Sequence, residues 1–102
     1  MREDTASQAQ AELTKIDDWR SEIDNIDNEL LQLLNRRAKF AARIGELKQA
    51  AGLPLLDEDR ERALLSRLCR VNAGPLDKPA IARIFLRIIR EIRRMETTKG
   101  AR

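Results

Sequence analysis

Arg37 stands where a helical stripe calls for an aliphatic side chain, and Arg20 and Lys48 line the same seam. From Leu13 to Ala51 apolar residues recur every three to four positions, with no proline or glycine before Gly45. In heptads, one column reads Ile16, Ile23, Leu30, Arg37, Ile44, Ala51, and the second apolar column reads Trp19, Ile26, Leu33, Phe40, Leu47. The column beside them is Arg20, Asp27, Leu34, Ala41, Lys48. A cation held at a helix interface is costly unless an anion meets it, so the implied chemistry is anion binding. Lys48 lies eleven residues beyond Arg37, about 16 Å along a helix and nearly on the same face, so the two side chains can reach toward one small ligand. Arg20 is about 25 Å from Arg37 along the same helix and cannot share that ligand within one chain. Antiparallel pairing of two chains would bring Arg20 of one beside Arg37 or Lys48 of the other. Each cation also has a plain explanation: a register-setting or acid-paired arginine for Arg37, a solvated charge for Arg20.

Two further groups carry polar chemistry. Asp57, Arg60 and Glu61 fall in the segment Asp57–Glu61, with Asp57 and Glu61 one turn apart on one face. A capped first turn with surface charges is the usual explanation for such a string. Glu96 falls on the apolar stripe of the last helical segment, one turn after Ile92, where a glutamate near a helix end is ordinarily solvated. Histidine is absent, which removes the usual general base and the commonest metal ligand together. No metal site and no cofactor are expected.

Three helices must position these residues. The first is expected from about Glu12 to about Ala51, stopping at Gly52 and Pro54. At about 60 Å it is far longer than a compact chain of this size, whose radius of gyration is about 13 Å. The remaining residues cannot cover its stripe, and a symmetric partner chain is the economical solution. The second helix opens near Asp57, whose carboxylate caps the first turn, with Glu58 and Asp59 on the end that suits negative charge. Its apolar positions are Ala63, Leu64, Leu65, Leu68, Cys69 and Val71. Asn72-Ala73-Gly74-Pro75 ends it, Gly74 being free to take the left-handed conformation. The third starts near Asp77, tolerates Pro79 in its first turn, and carries Ile81, Ile84, Phe85, Ile88, Ile89, Ile92 and then Met95 or Glu96 on one stripe. Residues 1–11 and 98–102 are expected to be flexible tails around a helical domain at 12–97.

Composition sets the class. The chain has 102 residues, so one domain at most, with 36% charged and 3% aromatic residues, four Gly and three Pro. This mix at helical spacing predicts an all-α protein. Twenty bases are interleaved with seventeen acids for a net charge of +3, which argues against a nucleic-acid partner. The scarcity of aromatics argues against stacking on single strands. Cys69 is alone, so no internal disulfide forms and a reducing compartment fits. The first dozen residues are unlike a secretory signal, and no apolar run approaches a membrane span. A soluble cytoplasmic protein is expected.

The residues resemble the all-helical chorismate mutases. The resemblance rests on Trp19-Arg20-Ser21-Glu22-Ile23-Asp24-Asn25-Ile26-Asp27, then Leu30, Leu31, Leu33, Leu34, Arg36 and Arg37, then Ile44-Gly45-Glu46-Leu47-Lys48. It continues through Pro54–Glu61, Asn72–Leu76 and Ile84–Ile89, covers residues 13 to 96, and keeps the spacings between the polar positions. It implies a Claisen rearrangement of chorismate to prephenate in an intertwined three-helix homodimer with two equivalent, shared sites, serving phenylalanine and tyrosine biosynthesis. By the same resemblance Arg37, with Arg20 from the partner chain, binds the two carboxylates, and Lys48 reaches the ether oxygen and a carboxylate. Glu61, with the backbone near Asp57, holds the ring hydroxyl, and Arg60 supports that region. Glu96 stands where many members carry a glutamine that donates to the ether oxygen, although some fungal members also carry glutamate. Ile92 stands where members often have a hydroxyl residue touching substrate, so it is a contact position without that hydrogen bond.

Rival expectations are an isochorismate pyruvate-lyase on the same scaffold, which uses much the same cationic cage, and a weakly active mutase subunit dependent on another shikimate-pathway enzyme. A ligand-free helical dimer, with Arg37 as a register device, is the reading from another class.

Overall fold

The computed structural model describes the backbone of residues 2–100 and the side chains of residues 5–98. These residues form three helices and no strand: α1 at Arg2–Ala50, α2 at Glu58–Val71 and α3 at Lys78–Gly100. The order of one long and two shorter helices is the expected one.

Two helix ends lie further out than periodicity predicts. α1 begins at Arg2 rather than near Glu12, inside the segment expected to be a tail. Ala6, Gln8, Ala9, Gln10 and Ala11 are strong helix formers, and neither glycine nor proline stands among them to stop the helix. α3 continues past Thr97 to Gly100. Thr97 and Thr98 donate their hydroxyls to the carbonyls of Arg93 and Arg94, both at 2.9 Å, which keeps them within the helical pattern. Met1, Ala101 and Arg102, the extremes of the two expected tails, lie outside the described residues.

The inner helix ends are built from local chemistry. At the end of α1, Gly52 takes φ 70°, the Gly52 N–H donates to the Gln49 carbonyl at 3.2 Å, and the Leu53 N–H donates to the Lys48 carbonyl at 2.8 Å. This is the Schellman arrangement, which turns the chain sharply toward Leu55 and Asp57. Asp57 caps α2, its Oδ1 accepting from the Arg60 N–H at 3.0 Å. Asp77 caps α3 in the same way, accepting from the Ala80 N–H at 2.9 Å. Between them Asn72 closes the loop from both sides, accepting from the Gly74 N–H at 3.0 Å and donating to the Leu76 carbonyl at 2.7 Å.

The chain divides into two compact units, residues 1–35 and 36–102. The first is helical, and its apolar stripe is open to solvent: Trp19 is 70% exposed, and Ile23, Ile26 and Leu30 are exposed with it. In the second unit α2 and α3 pack against each other. Leu64 is its buried hydrophobic residue, and Leu65, Leu68, Phe85, Ile88, Ile89 and Ile92 are half-buried. On α1 within this unit, Phe40, Ile44 and Leu47 remain exposed. No helix among the described residues is long and apolar enough to cross a membrane.

Candidate active site

The second unit contains a cavity of about 150 Å³. A cavity of that size can admit a single six-membered ring, as an engineered benzene-binding cavity in another protein shows. Three stretches of chain wall it. The last turns of α1 supply Arg37, Ala41, Ile44, Gly45 and Lys48, whose spacing of four, three, one and three residues keeps them on one face. Leu55 and the cap residue Asp57 come from the connection, followed by Arg60, Glu61 and Leu64 of α2. α3 contributes Ile89, Ile92, Arg93 and Glu96, again at helical spacing.

Each polar side chain has a local reason for its position. Lys48 Nζ donates to the Leu55 carbonyl at 3.3 Å, which ties the end of α1 to the connection and leaves two further ammonium protons for a ligand. The Asp57 carboxylate is engaged as the α2 cap, so its role at the wall is to fix the first turn that presents Arg60 and Glu61. Glu61 forms an ion pair with Arg93 across the α2–α3 packing, with both side chains largely withdrawn from solvent. Glu96 turns inward while its neighbour Met95 is exposed, which resolves the choice left open on the α3 stripe. Its carboxyl lies so close to Gly45 that a Cβ there would come within 2.5 Å of Oε2. Burial pushes the Glu96 pKa above the ordinary carboxylate value, against the opposing pull of Lys48 and Arg93.

Arg37, Lys48, Asp57, Arg60, Glu61, Ile92 and Glu96 are thus brought around one cavity. Arg20 belongs to the first unit and is not among the lining residues; its side chain is exposed and pairs with Asp17 at 3.8 Å. Two residues are additional. Arg93 lies four positions after Ile89 and three before Glu96, so helical spacing alone marks it as a face neighbour. Gly45 is buried, and its signal is a glycine inside an otherwise unbroken helical pattern. Among the described residues, no three His, Cys, Asp or Glu side chains group as a metal-ligand set.

The arrangement presents Arg37, Lys48 and Arg60, the Glu61–Arg93 ion pair, the Asp57 cap, and a Glu96 carboxyl whose pKa burial raises, around a ring-sized space. It suits a small, multiply charged anion that also accepts a hydrogen bond. The family model described as chorismate mutase type II matches residues 19–97. A bifunctional chorismate mutase/prephenate dehydratase of Aquifex aeolicus (strain VF5) is 41% identical over 81 residues, 76% of this chain and 22% of that protein. The T-protein of Enterobacter agglomerans is 36% identical over 91 residues, 88% of this chain and 24% of that protein. The chain therefore spans about a quarter or less of the length of these curated relatives. The solved structure of a chorismate mutase (form II) from Thermus thermophilus superposes with a TM-score of 0.80 at 32% identity, covering 81% of this chain and 94% of the other.

Proposed function

The chain belongs to the type II chorismate mutase family, and from that premise we propose that it rearranges chorismate to prephenate, in phenylalanine and tyrosine biosynthesis. The observation that carries this reading is the convergence of Arg37, Lys48 and Glu96, whose pKa burial raises, on one ring-sized cavity. The reaction is a unimolecular Claisen rearrangement: the ether C–O bond breaks as a C–C bond forms, and no atom is gained or lost. It asks of the protein a folded dianion and stabilisation of the charge that builds on the ether oxygen.

Arg37 binds one substrate carboxylate, where its planar fork can meet both oxygens. Lys48, held by the Leu55 carbonyl, uses its remaining protons on the ether oxygen and a carboxylate. Protonated Glu96 donates to the ether oxygen from the other side. A preorganised donor of this kind lowers the barrier by about 3–4 kcal/mol. Glu61 accepts from the ring hydroxyl, Arg60 supports that end, and Ile92 packs on the ring. Arg20 of the partner subunit binds the second carboxylate in an intertwined homodimer with two such sites. The exposed stripe of Trp19, Ile23, Ile26 and Leu30 supports that assembly, because monomers seldom leave a contiguous apolar face in water. The lone thiol Cys69 suits a reducing, cytoplasmic setting.

Chorismate consumption and prephenate formation test the reading directly. Arg37→Ala is expected to lower kcat/KM about a hundredfold or more, since it strips one of the charge-assisted contacts to the dianion. Wild-type activity in that variant would overturn the site. Release of salicylate and pyruvate from isochorismate, without prephenate formation, would replace the mutase reading by the lyase one.

A further inference from the structure

We propose that Arg93 is a positioning residue for the ring end of the substrate: its guanidinium holds the Glu61 carboxylate in a fixed acceptor orientation at the cavity wall. The inference rests on the mutase reading given above.

The Glu61–Arg93 pair differs in kind from five other ion pairs among the described residues. Arg20–Asp17, Arg43–Glu46, Arg62–Asp59, Arg87–Glu91 and Arg94–Glu91 each join residues three or four positions apart on one helix, and their arginines are 72–76% exposed. Glu61 and Arg93 come from different helices, both line the cavity, and their side chains are 19% and 29% exposed. Withdrawing two charges from water costs about as much as their attraction returns, so such a pair is poor evidence of added stability and better evidence of orientation.

The charges at the wall explain why orientation is needed. An unpaired Glu61 carboxylate would repel the carboxylates of a dianion sharing its cavity and would swing toward solvent. Bound to Arg93, it is neutralised as a pair and keeps an oxygen for the ligand, because a carboxylate offers about four acceptor sites. Arg93 therefore acts through Glu61 on the affinity for chorismate, and less on the bond-breaking step that Lys48 and Glu96 serve.

The test compares steady-state kinetics on chorismate for wild type, Arg93→Met, Arg93→Lys, Glu61→Gln and the double variant, with helicity and thermal melting measured alongside. Arg93→Met is expected to raise KM roughly tenfold while kcat stays within about threefold, an effect of the size expected for neighbouring charged groups. Arg93→Lys is expected to return KM to within about threefold of wild type. In the Glu61→Gln background, Arg93→Met should add less than about twofold, the non-additivity expected of a coupled pair. If Arg93→Met does not fold, Arg93→Gln carries the same comparison and the same expected rise. An unchanged KM, a loss confined to kcat, or additive effects in the double variant would overturn the role of Arg93 and leave the mutase reading standing. A folded wild type that consumes no chorismate would overturn that reading and the inference with it.

Discussion

The Glu96 carboxyl lies against Gly45 with Lys48 and Arg93 nearby, and burial outweighs both cations in setting its affinity for a proton. A glutamate can donate only when protonated, so the raised pKa favours the form the proposed reaction needs. As pH falls from neutrality toward that raised value the donor form fills, and kcat is expected to rise and then level off. Glu96→Gln keeps a donor at every pH and is expected to give a flat kcat profile over the same window. Coincident profiles for the two proteins would remove Glu96 from the mechanism. Stability follows the same sign. The folded state holds the proton more tightly than the unfolded chain, so this contribution is fully present below the ordinary carboxylate value and is lost as pH rises through the folded value. Denaturant titrations across that window should show a shallower pH slope for Glu96→Gln.

At the scale of the element, the last turns of α1 are shaped by a glycine. Gly45→Ala lowers the backbone entropy that the helix must overcome on folding, worth about 1 kcal/mol, but places a Cβ 2.5 Å from Glu96 Oε2. The obstructed atom is the tip of a flexible side chain, which can swing aside at little cost to the fold. The variant is expected to melt at or slightly above the wild-type temperature while kcat falls about tenfold or more, because the donor is displaced. A wild-type kcat in a stable Gly45→Ala protein would show that the contact has no part in positioning. The two aspartate caps make a matched pair for the same question. Asp57→Ala and Asp77→Ala each remove one bond to a first-turn N–H, at 3.0 and 2.9 Å, and each should cost about 1 kcal/mol of stability. Only Asp57 borders the cavity, so only Asp57→Ala is expected to raise KM. Equal kinetic effects from both would reduce Asp57 to a cap.

For the whole molecule, the stripe on α1 is the feature a single chain does not account for. Ile16, Trp19, Ile23, Ile26, Leu30, Phe40 and Leu47 are all exposed, while Leu64 is the one buried hydrophobic among the described residues. A second copy with the same stripe is the proposed cover, and it would also deliver Arg20 to the other chain's site. Mixing Arg20→Ala with Arg37→Ala after reversible unfolding tests this. Half of the randomly reassembled dimers would carry one variant of each kind, and each such dimer would hold one intact site. Activity is therefore expected to recover to about a quarter of the wild-type value at equal protein, from two nearly inactive parents. No recovery on mixing, with dimers shown by sedimentation, would place Arg20 and Arg37 in separate roles.

The helices and the faces they present were legible in the sequence from the helical period alone. The seven expected residues that line the cavity were singled out together only by the resemblance to the all-helical chorismate mutases. Leu13 to Ala51 had to be one amphipathic helix, and Arg37 and Lys48 had to lie along one side of it. Asp57 and Asp77 announced the starts of α2 and α3 by their type and place. Arg93, by contrast, falls at the edge of the α3 stripe, and spacing alone does not say which residue it meets. Packing of α3 on α2 carries Arg93 to Glu61, while Arg94 stays in solvent with Glu91. The same packing turns Glu96 inward and Met95 outward, and the approach of Glu96 to α1 gives Gly45 its reason, since a side chain there would displace the carboxyl. Periodicity locates a residue on a helix to within the width of a face. Which of two neighbours at that edge meets the site depends on contacts between residues far apart in the chain, and those exist only once the helices have packed.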